Sequence, residues 1–311
     1  MGIIIIFVPS TEPRIIMKKP QNSLVIAIIV SMLIWGLSWP SAKILSGHIS
    51  YANFGAYRYV LALLTLFPTL LFLKAPLKIK KKGIPVAILS GVLLALYNLF
   101  FFKGLRMGFA GAGGVLVTIL NPIMAYGIGL LVSRKRPSRN EFIGLTLGLT
   151  AGCVLLKIWN NADTLFASGN LYFLAAAFTW AVMSKFTSVA FRYGYSISFS
   201  LWQYLVTMCC FLPMLNVKEL QTTIATADIV FWINLFFSAA IVTSGATTLY
   251  FYATAKLGAE KASSFIFIVP FAAAVSSWLL LSESILIHTA IGGVIGILAV
   301  YMINKKRREI I

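Results

Sequence analysis

The residues of this sequence that could carry chemistry are polar side chains embedded in long apolar runs. Asn98 and Asn121 are the most informative, because a buried amide can make up to four hydrogen bonds and an unsatisfied one costs several kcal/mol. Each amide either bonds across neighbouring helices, including the carbonyl that Pro122 leaves free, or binds a polar ligand. Arg58 lies inside an apolar run too, where it either reaches back to the membrane interface, pairs with a loop carbonyl, or attracts an anionic or zwitterionic ligand.

Hydroxyl groups and aromatic rings complete this set. Serine and threonine readily bond to their own helix backbone, so each one alone is better explained by structure than by binding. Tryptophans in the middle of apolar runs offer a broad wall with one N–H donor, and Trp35 and Trp180 either line a cavity or pack helices together. We predict a substrate cavity with these lining residues: Trp35, Ser38, Trp39, Arg58, Tyr97, Asn98, Thr118, Asn121, Trp180, Ser184, Ser244, Thr248 and Tyr250.

The sequence lacks the residues that several classes of function need. The eight acidic residues fall in loops, tails or the ends of apolar runs, whereas a proton- or cation-coupled antiporter commonly buries a carboxylate in its pathway. The two histidines stand apart near run ends, so the sequence offers no Ser–His pair or metal cluster for an intramembrane enzyme. The three cysteines lie in apolar runs and fit neither a disulfide framework nor a metal site. We therefore expect no enzyme activity, no metal and no cofactor.

The elements that must position these side chains are ten apolar runs. The 311 residues are 59% hydrophobic and only 11% charged, less than half the roughly 25% of a soluble domain. Mean hydropathy is +0.91, and most runs reach the about 20 helical residues that cross a bilayer core. An all-α polytopic membrane protein with ten transmembrane helices is predicted. The runs cover residues 22–45, 52–73, 83–104, 108–132, 139–158, 168–191, 196–216, 229–255, 258–281 and 286–304.

The distribution of basic residues orients these runs in the bilayer. If the N-terminus is cytoplasmic, twenty of the 26 basic residues fall on the cytoplasmic side. The opposite side receives Lys103, Arg106, Lys157 and Lys218. This asymmetry predicts a multi-pass membrane protein with both termini in the cytoplasm. The membrane we expect is the bacterial inner membrane. The net charge of +18 therefore reflects membrane orientation, and we expect a lipid bilayer and a small-molecule substrate as partners, not nucleic acid.

The second half of the sequence aligns with the first at a shift of 145–148 residues. The aligned pairs are Trp35 and Trp180, Arg58 and Gln203, Tyr59 and Tyr204, Pro122 and Pro270, Gly144 and Gly292, and Gly148 and Gly296. Each half holds five runs, an odd number, so the second half must be inverted relative to the first, as in many secondary transporters. The glycine rows predict close packing of the fifth and tenth spans within a monomer rather than a dimer contact.

Five segments, taken in order, carry a family resemblance. They are WGLSWPSAKIL (35–45), AYRYVLALL (56–64), FAGAGGVLVTILNPIMA (109–125), FTWAVMSKF (178–186) and LGAEKASSFIFIVPFAAAVSSWLLLSESI (257–285). The set resembles the drug/metabolite transporter superfamily in its tandem EamA-type form, over nearly all of residues 22–304. The resemblance implies two inverted five-helix repeats, cytoplasmic termini, a central cavity, and efflux of amino acids or other small metabolites.

These observations give an expected organisation and function. We expect a cytoplasmic tail (1–21), a first EamA-like repeat (22–158), a second (168–304) and a basic cytoplasmic tail (305–311); residues 1–16 are interpreted as a start-site artefact or a disordered tail. The expected function is export of small polar metabolites by alternating access, as facilitated efflux or exchange. The alternative is an exchanger of phosphorylated or nucleotide-linked metabolites, whose deep cations could come only from Arg58, Lys103 or Arg106. A channel is disfavoured, because no segment resembles a selectivity filter.

Overall fold

Long helices account for most of the chain. The computed structural model describes residues 20–107, 110–133, 136–161, 168–281 and 287–305, so residues 1–16 and the end of the basic tail lie outside it. Short helices at Lys81–Gly83, Ile158–Asn161, Ala190–Arg192, Leu212–Met214 and Val217–Thr226 connect the long ones. The long helices are α1 (Pro20–Ser46), α2 (Tyr51–Phe72), α3 (Ile84–Met107), α4 (Ala110–Ser133), α5 (Arg139–Leu156), α6 (Ser168–Thr187), α7 (Ser196–Phe211), α8 (Ile229–Leu257), α9 (residues 259–281) and α10 (Ile287–Asn304).

The outer surface of this bundle is apolar. Leu64, Phe72 and Leu131 are 63%, 86% and 82% exposed, an exposure that fits lipid rather than water. Nine of the described helices are long and apolar enough to cross a membrane. The remaining long helix, α5, begins with Arg139, Asn140 and Glu141, which lower its hydropathy. The chain is a multi-pass membrane protein, and the count of ten spans stays a prediction at α5.

Local hydrogen bonds set the helix boundaries. Ser138 and Glu141 form a capping box at the start of α5, where Ser138 N donates to the Glu141 carboxylate at 2.6 Å. At the start of α8, Phe231 N donates to the Asp228 carboxylate at 2.8 Å. Gly258 separates α8 from α9 with a φ of 87°, a conformation that glycine adopts at little cost. The polar breaks between the apolar runs thus become helix ends.

Helix packing follows a two-repeat architecture. α3 packs against α6 as α8 packs against α1, and α4 packs against α6 as α9 packs against α1. α2 pairs with α7 and α5 with α10, each with its own counterpart in the other half. Exchanging α1–α5 with α6–α10 therefore reproduces the observed neighbours, which is the pattern of a two-fold axis between the halves.

Close approach of α5 and α10 depends on glycine at matched positions. A β-carbon added at Gly144 would lie 2.9 Å from the Ala299 carbonyl oxygen, and one added at Gly292 would lie 3.1 Å from the Ala151 carbonyl oxygen. Such distances leave no room for a larger side chain unless the helices move apart. The glycine rows therefore pack these two helices together.

α8 and α9 are irregular at membrane depth. α8 has an α-helical start (Ile229–Phe236), a π-helical middle (Phe237–Thr247) and an α-helical end (Thr248–Leu257). α9 narrows to a 3-10 helix at Phe265–Ile268. Irregular backbone at this depth is tolerated where it is buried in protein or lines a cavity. Both irregular segments border the cavity between the halves.

Candidate functional site

A cavity of about 830 Å³, counting its open part, lies between the two halves. Side chains from α1, α2, α3, α4, α6, α8 and α9 surround it, so both repeats contribute to its wall. The described lining residues are Trp35, Ser38, Trp39, Ala42, Arg58, Tyr59, Leu94, Tyr97, Asn98, Phe101, Val117, Thr118, Asn121, Trp180, Ser238, Val242, Thr243, Thr247, Ile266 and Val269.

Aromatic rings form much of the cavity wall. The rings of Trp35 and Trp180 meet edge to face, with centroids 5.1 Å apart and planes at 84°. Tyr97 packs on Trp180 at 4.6 Å, and Trp39 packs on Phe101 at 5.1 Å. These contacts fix the rings of two helices of the first half, α1 and α3, and one of the second, α6, around a common space.

One cation faces this space. Of the described residues that line the cavity, Arg58 alone is charged. Its Nε donates to Thr243 Oγ1 at 2.7 Å, and its Cζ lies 5.9 Å from the centre of the Phe54 ring. A hydroxyl and a ring face stabilise a guanidinium without neutralising it. The cavity therefore carries a net positive charge at Arg58.

The two predicted amides have different surroundings. Asn98 uses its amide nitrogen twice, donating to the Leu94 carbonyl at 2.7 Å and to the Tyr59 hydroxyl at 2.9 Å. Asn121 is only 2% exposed, and its Oδ1 has no hydrogen-bond partner among the described residues. An unsatisfied buried acceptor costs about 1–3 kcal/mol, so Asn121 Oδ1 is available to a donor in the cavity.

The predicted hydroxyl groups of the first half bond to their own helix. Ser38 donates to the Trp35 carbonyl at 2.6 Å, and Thr118 donates to the Gly114 carbonyl at 2.7 Å. This is the structural role expected of isolated serine and threonine at membrane depth. Both residues belong to the lining of the cavity.

Four of the predicted residues lie behind the wall rather than in it. Ser184 and Tyr250 are fully buried and share a hydrogen bond of 3.3 Å, with the Tyr250 ring 5.0 Å from Trp35. Thr248 bonds to the hydroxyl of Tyr204 at 3.0 Å. Ser244 is buried too and is absent from the described lining. The cavity thus contains nine of the thirteen predicted residues: Trp35, Ser38, Trp39, Arg58, Tyr97, Asn98, Thr118, Asn121 and Trp180.

Sequence reasoning passed over several residues that do line the cavity. Thr243 and Thr247 line the cavity, whereas their neighbours Ser244 and Thr248 do not belong to its described lining. Trp35 Nε1 donates to Thr247 Oγ1 at 3.3 Å, which ties the irregular segment to α1. This segment contains no proline, and its Ser244–Gly245 pair is the one local feature that is typical of irregular helices.

The chain is similar in sequence to proteins described as transporters and in structure to a solved protein. YoaV of Bacillus subtilis (strain 168), described as an uncharacterized transporter, is 24% identical over 279 residues, 89% of this chain and 95% of its own. A protein of Salmonella typhimurium (strain LT2) described as a "probable amino-acid metabolite efflux pump" is 24% identical over 202 residues, 63% of this chain and 64% of its own. Another protein's crystal structure matches with a TM-score of 0.69 at 16% identity, over 91% of this chain and 97% of that one, which shows the fold.

The family match covers both repeats. The model of the EamA-like transporter family matches residues 22–157 and again residues 167–305. These two tandem segments correspond to α1–α5 and α6–α10, the two halves that surround the cavity. The predicted resemblance is confirmed, and the chain belongs to the EamA-like transporter family.

Proposed function

We propose that this transporter exports amino acids or closely related small carboxylates across the bacterial inner membrane, with both termini in the cytoplasm. The observation that carries the proposal is Arg58, a cation in an aromatic cavity with no carboxylate among the described lining residues. Arg58 is half-buried and has no charged partner among the described lining residues, so the site favours a ligand that brings an anion. A carboxylate fits, because a guanidinium can bind its two oxygens side by side.

The remaining lining suits the rest of an amino acid. An ammonium group is attracted to the faces of tryptophan and tyrosine rings, of which Trp35, Tyr97 and Trp180 provide three. Asn121 Oδ1 is a buried acceptor that an ammonium N–H can satisfy. A zwitterion would therefore find a partner for each of its charges without a second ionised residue in the wall.

The similarity to an amino-acid metabolite efflux pump supports the same substrate class and direction. Since one chain surrounds the described cavity, the working unit we propose is a monomer. Glu260 lies at the start of α9 beyond the lining, where it pairs with Lys185 at 2.8 Å. We therefore propose facilitated efflux or exchange by alternating access between the two repeats, without coupling through a carboxylate in the cavity.

The alternative substrate class, phosphorylated or nucleotide-linked metabolites, has less support. A phosphate carries up to two negative charges and calls for several cations in the site. Lys103 and Arg106 are exposed near the end of α3 and do not line the cavity, so Arg58 would have to bind such a group alone.

The test begins with a metabolite screen and ends with purified protein. Cells with and without the transporter are compared for metabolites that accumulate only when it is absent. The hits are then measured by counterflow in proteoliposomes, with and without an imposed proton gradient. The matched control is Lys218→Gln, which removes an exposed basic residue from a connecting helix and should leave transport unchanged.

Two results would contradict the proposal. Counterflow of phosphorylated compounds but not of amino acids would favour the alternative. Uptake that occurred only under an imposed proton gradient would overturn facilitated efflux or exchange.

A further inference from the structure

The π-helical segment of α8, Phe237–Thr247, has a specific hydrogen-bond pattern. The Thr243 hydroxyl donates to the Ser238 carbonyl at 2.9 Å, and the Thr247 hydroxyl donates to the Val242 carbonyl at 2.9 Å. Each bond reaches back five residues rather than the four of an α-helix. Threonine hydroxyls thus reinforce the wider helical turn.

This wider turn decides which residues face the cavity. Ser238, Val242, Thr243 and Thr247 all line it. At about 100° per residue, an α-helix would place Ser238 and Thr247 on opposite sides. At roughly 4.4 residues per turn, a π-helix keeps all four within roughly 80° of arc. The wider turn therefore brings Ser238 onto the same wall as Thr243 and Thr247.

Thr243 is held from two further directions. Its hydroxyl oxygen accepts the bond from Arg58 Nε at 2.7 Å, and its carbonyl accepts a bond from the Tyr204 hydroxyl at 2.9 Å. Thr243 is 1% exposed and Tyr204 is fully buried. The Arg58 side chain is thus attached to a point that α7 and the π-helical turn both fix.

We infer that Thr243 is a positioning residue that aims the Arg58 guanidinium at the carboxylate of the substrate. The inference rests on the proposed function. A guanidinium has five N–H groups, and the bond to Thr243 uses only the one on Nε. The end of the guanidinium keeps one N–H on each terminal nitrogen that points away from Nε, and these two form a fork that binds a carboxylate. A carboxylate in place of Thr243 would orient the arginine equally well but would neutralise it, whereas a hydroxyl orients it and leaves its charge for the substrate.

The experiment compares Thr243→Val with Thr243→Ser in proteoliposome counterflow. The substrate is an amino acid that the parent protein transports, and the matched probe is its carboxamide, which lacks the negative charge. We expect Thr243→Val to raise KM for the amino acid about 10-fold, because the variant loses one charge-assisted hydrogen bond. Vmax should stay within about 2-fold of the parent. KM for the carboxamide should not change. Thr243→Ser, which restores the acceptor, should restore KM.

The outcomes separate this inference from the proposed function. If Arg58→Gln changes KM for the acid and for its amide equally, the proposed function is wrong. If Arg58→Gln raises KM for the acid alone but Thr243→Val does not, Thr243 has no positioning role and the proposed function stands. Equal losses for acid and amide in Thr243→Val, together with a lower melting temperature in detergent, would show a structural role and overturn the inference.

Discussion

The two halves of this transporter meet at the cavity with matched positions but unequal chemistry. Three pairs of lining residues are equivalent by the internal repeat: Trp35 and Trp180, Thr118 and Ile266, and Asn121 and Val269. The tryptophans are identical, and in every other pair the first half supplies the more polar side chain. Both halves therefore shape the cavity, whereas the first half supplies most of its recognition groups.

The clearest difference is at the pair Arg58 and Gln203. Arg58 on α2 faces the cavity and bonds to α8. Gln203 on α7 is fully buried, with its Nε2 3.5 Å from the Ser90 carbonyl on α3 and its Oε1 without a partner among the described residues. The repeat has thus kept a long polar side chain at both positions but has placed a charge at only one. A substrate bound between the halves is expected to direct its anionic group toward α2.

Giving the second half the charge of the first should have the largest effect, a loss of folding stability. Gln203→Arg would place a charge in a fully buried site with no acid beside it among the described residues, at a cost of about 3–5 kcal/mol. We expect little folded protein, measured as recovery and melting temperature in detergent. Gln203→Met, which keeps the approximate volume without a charge, is the control and should fold. A Gln203→Arg protein as stable as the parent would show that the two sites are interchangeable.

Removing the charge of Arg58 should impair transport rather than folding. Arg58→Gln makes the first half resemble the second, and we expect counterflow of the amino acid substrate to fall about 10- to 100-fold, the value of a charged hydrogen bond. Arg58→Lys should restore part of the activity, because an ammonium keeps the charge but not the planar fork. The melting temperature should stay near that of the parent. Unchanged counterflow would refute the asymmetry of recognition.

Asn121→Val tests the next pair, since its counterpart is Val269. Substrate KM should rise about 5- to 10-fold, because the acceptor for an N–H donor is lost. Stability should be equal or higher by about 1 kcal/mol, because the change removes a buried acceptor that has no partner in the described structure. A higher KM together with an equal or higher stability would show that Asn121 is a binding residue rather than a packing residue. A loss of both would indicate that Asn121 serves packing.

The smallest effect is expected from the pair that is identical. Trp35→Phe removes an indole donor bonded to Thr247 at 3.3 Å, whereas the Trp180 Nε1 makes no hydrogen bond of ordinary geometry to the described residues. Both substitutions lose similar ring area, so the difference between the two melting temperatures reports the contribution of one hydrogen bond. We expect Trp35→Phe to melt about 2 °C below Trp180→Phe, measured by thermal unfolding in detergent. Equal melting temperatures would mean that the Thr247 bond adds no stability.

The sequence predicted the parts of this molecule that depend on composition and spacing. Long apolar runs mark helices because a bilayer demands internally satisfied backbone, and all ten predicted runs correspond to long helices. The two-half organisation followed from repeated Trp, Tyr, Pro and Gly positions, and the family match confirms it. Polar groups are costly at membrane depth, which is why the sequence predicted Arg58, Asn98 and Asn121 as cavity residues. All three line the cavity.

The hydroxyl groups of α8 were beyond that reasoning. The sequence alone predicted Ser244 and Thr248, whereas Thr243 and Thr247 line the cavity. Both pairs are four residues apart, and each shares a face of a helix, so their spacing does not distinguish them. Which pair faces the cavity depends on how α8 is turned about its axis. In the observed orientation Thr243 bonds to Arg58 and Tyr204, and Thr247 bonds to Trp35, all distant in sequence.

The contact between Trp35 and Trp180 has a consequence for the symmetry of the cavity wall. In an edge-to-face pair one ring presents its rim and the other its face, so the two members of the pair cannot be equivalent. A perfect two-fold axis would require equivalence, and this geometry breaks the symmetry even though the residues are identical. Two identical tryptophans therefore present different surfaces to a ligand, one its rim and the other its face. Identity at a repeated position does not make the two halves of the wall equivalent.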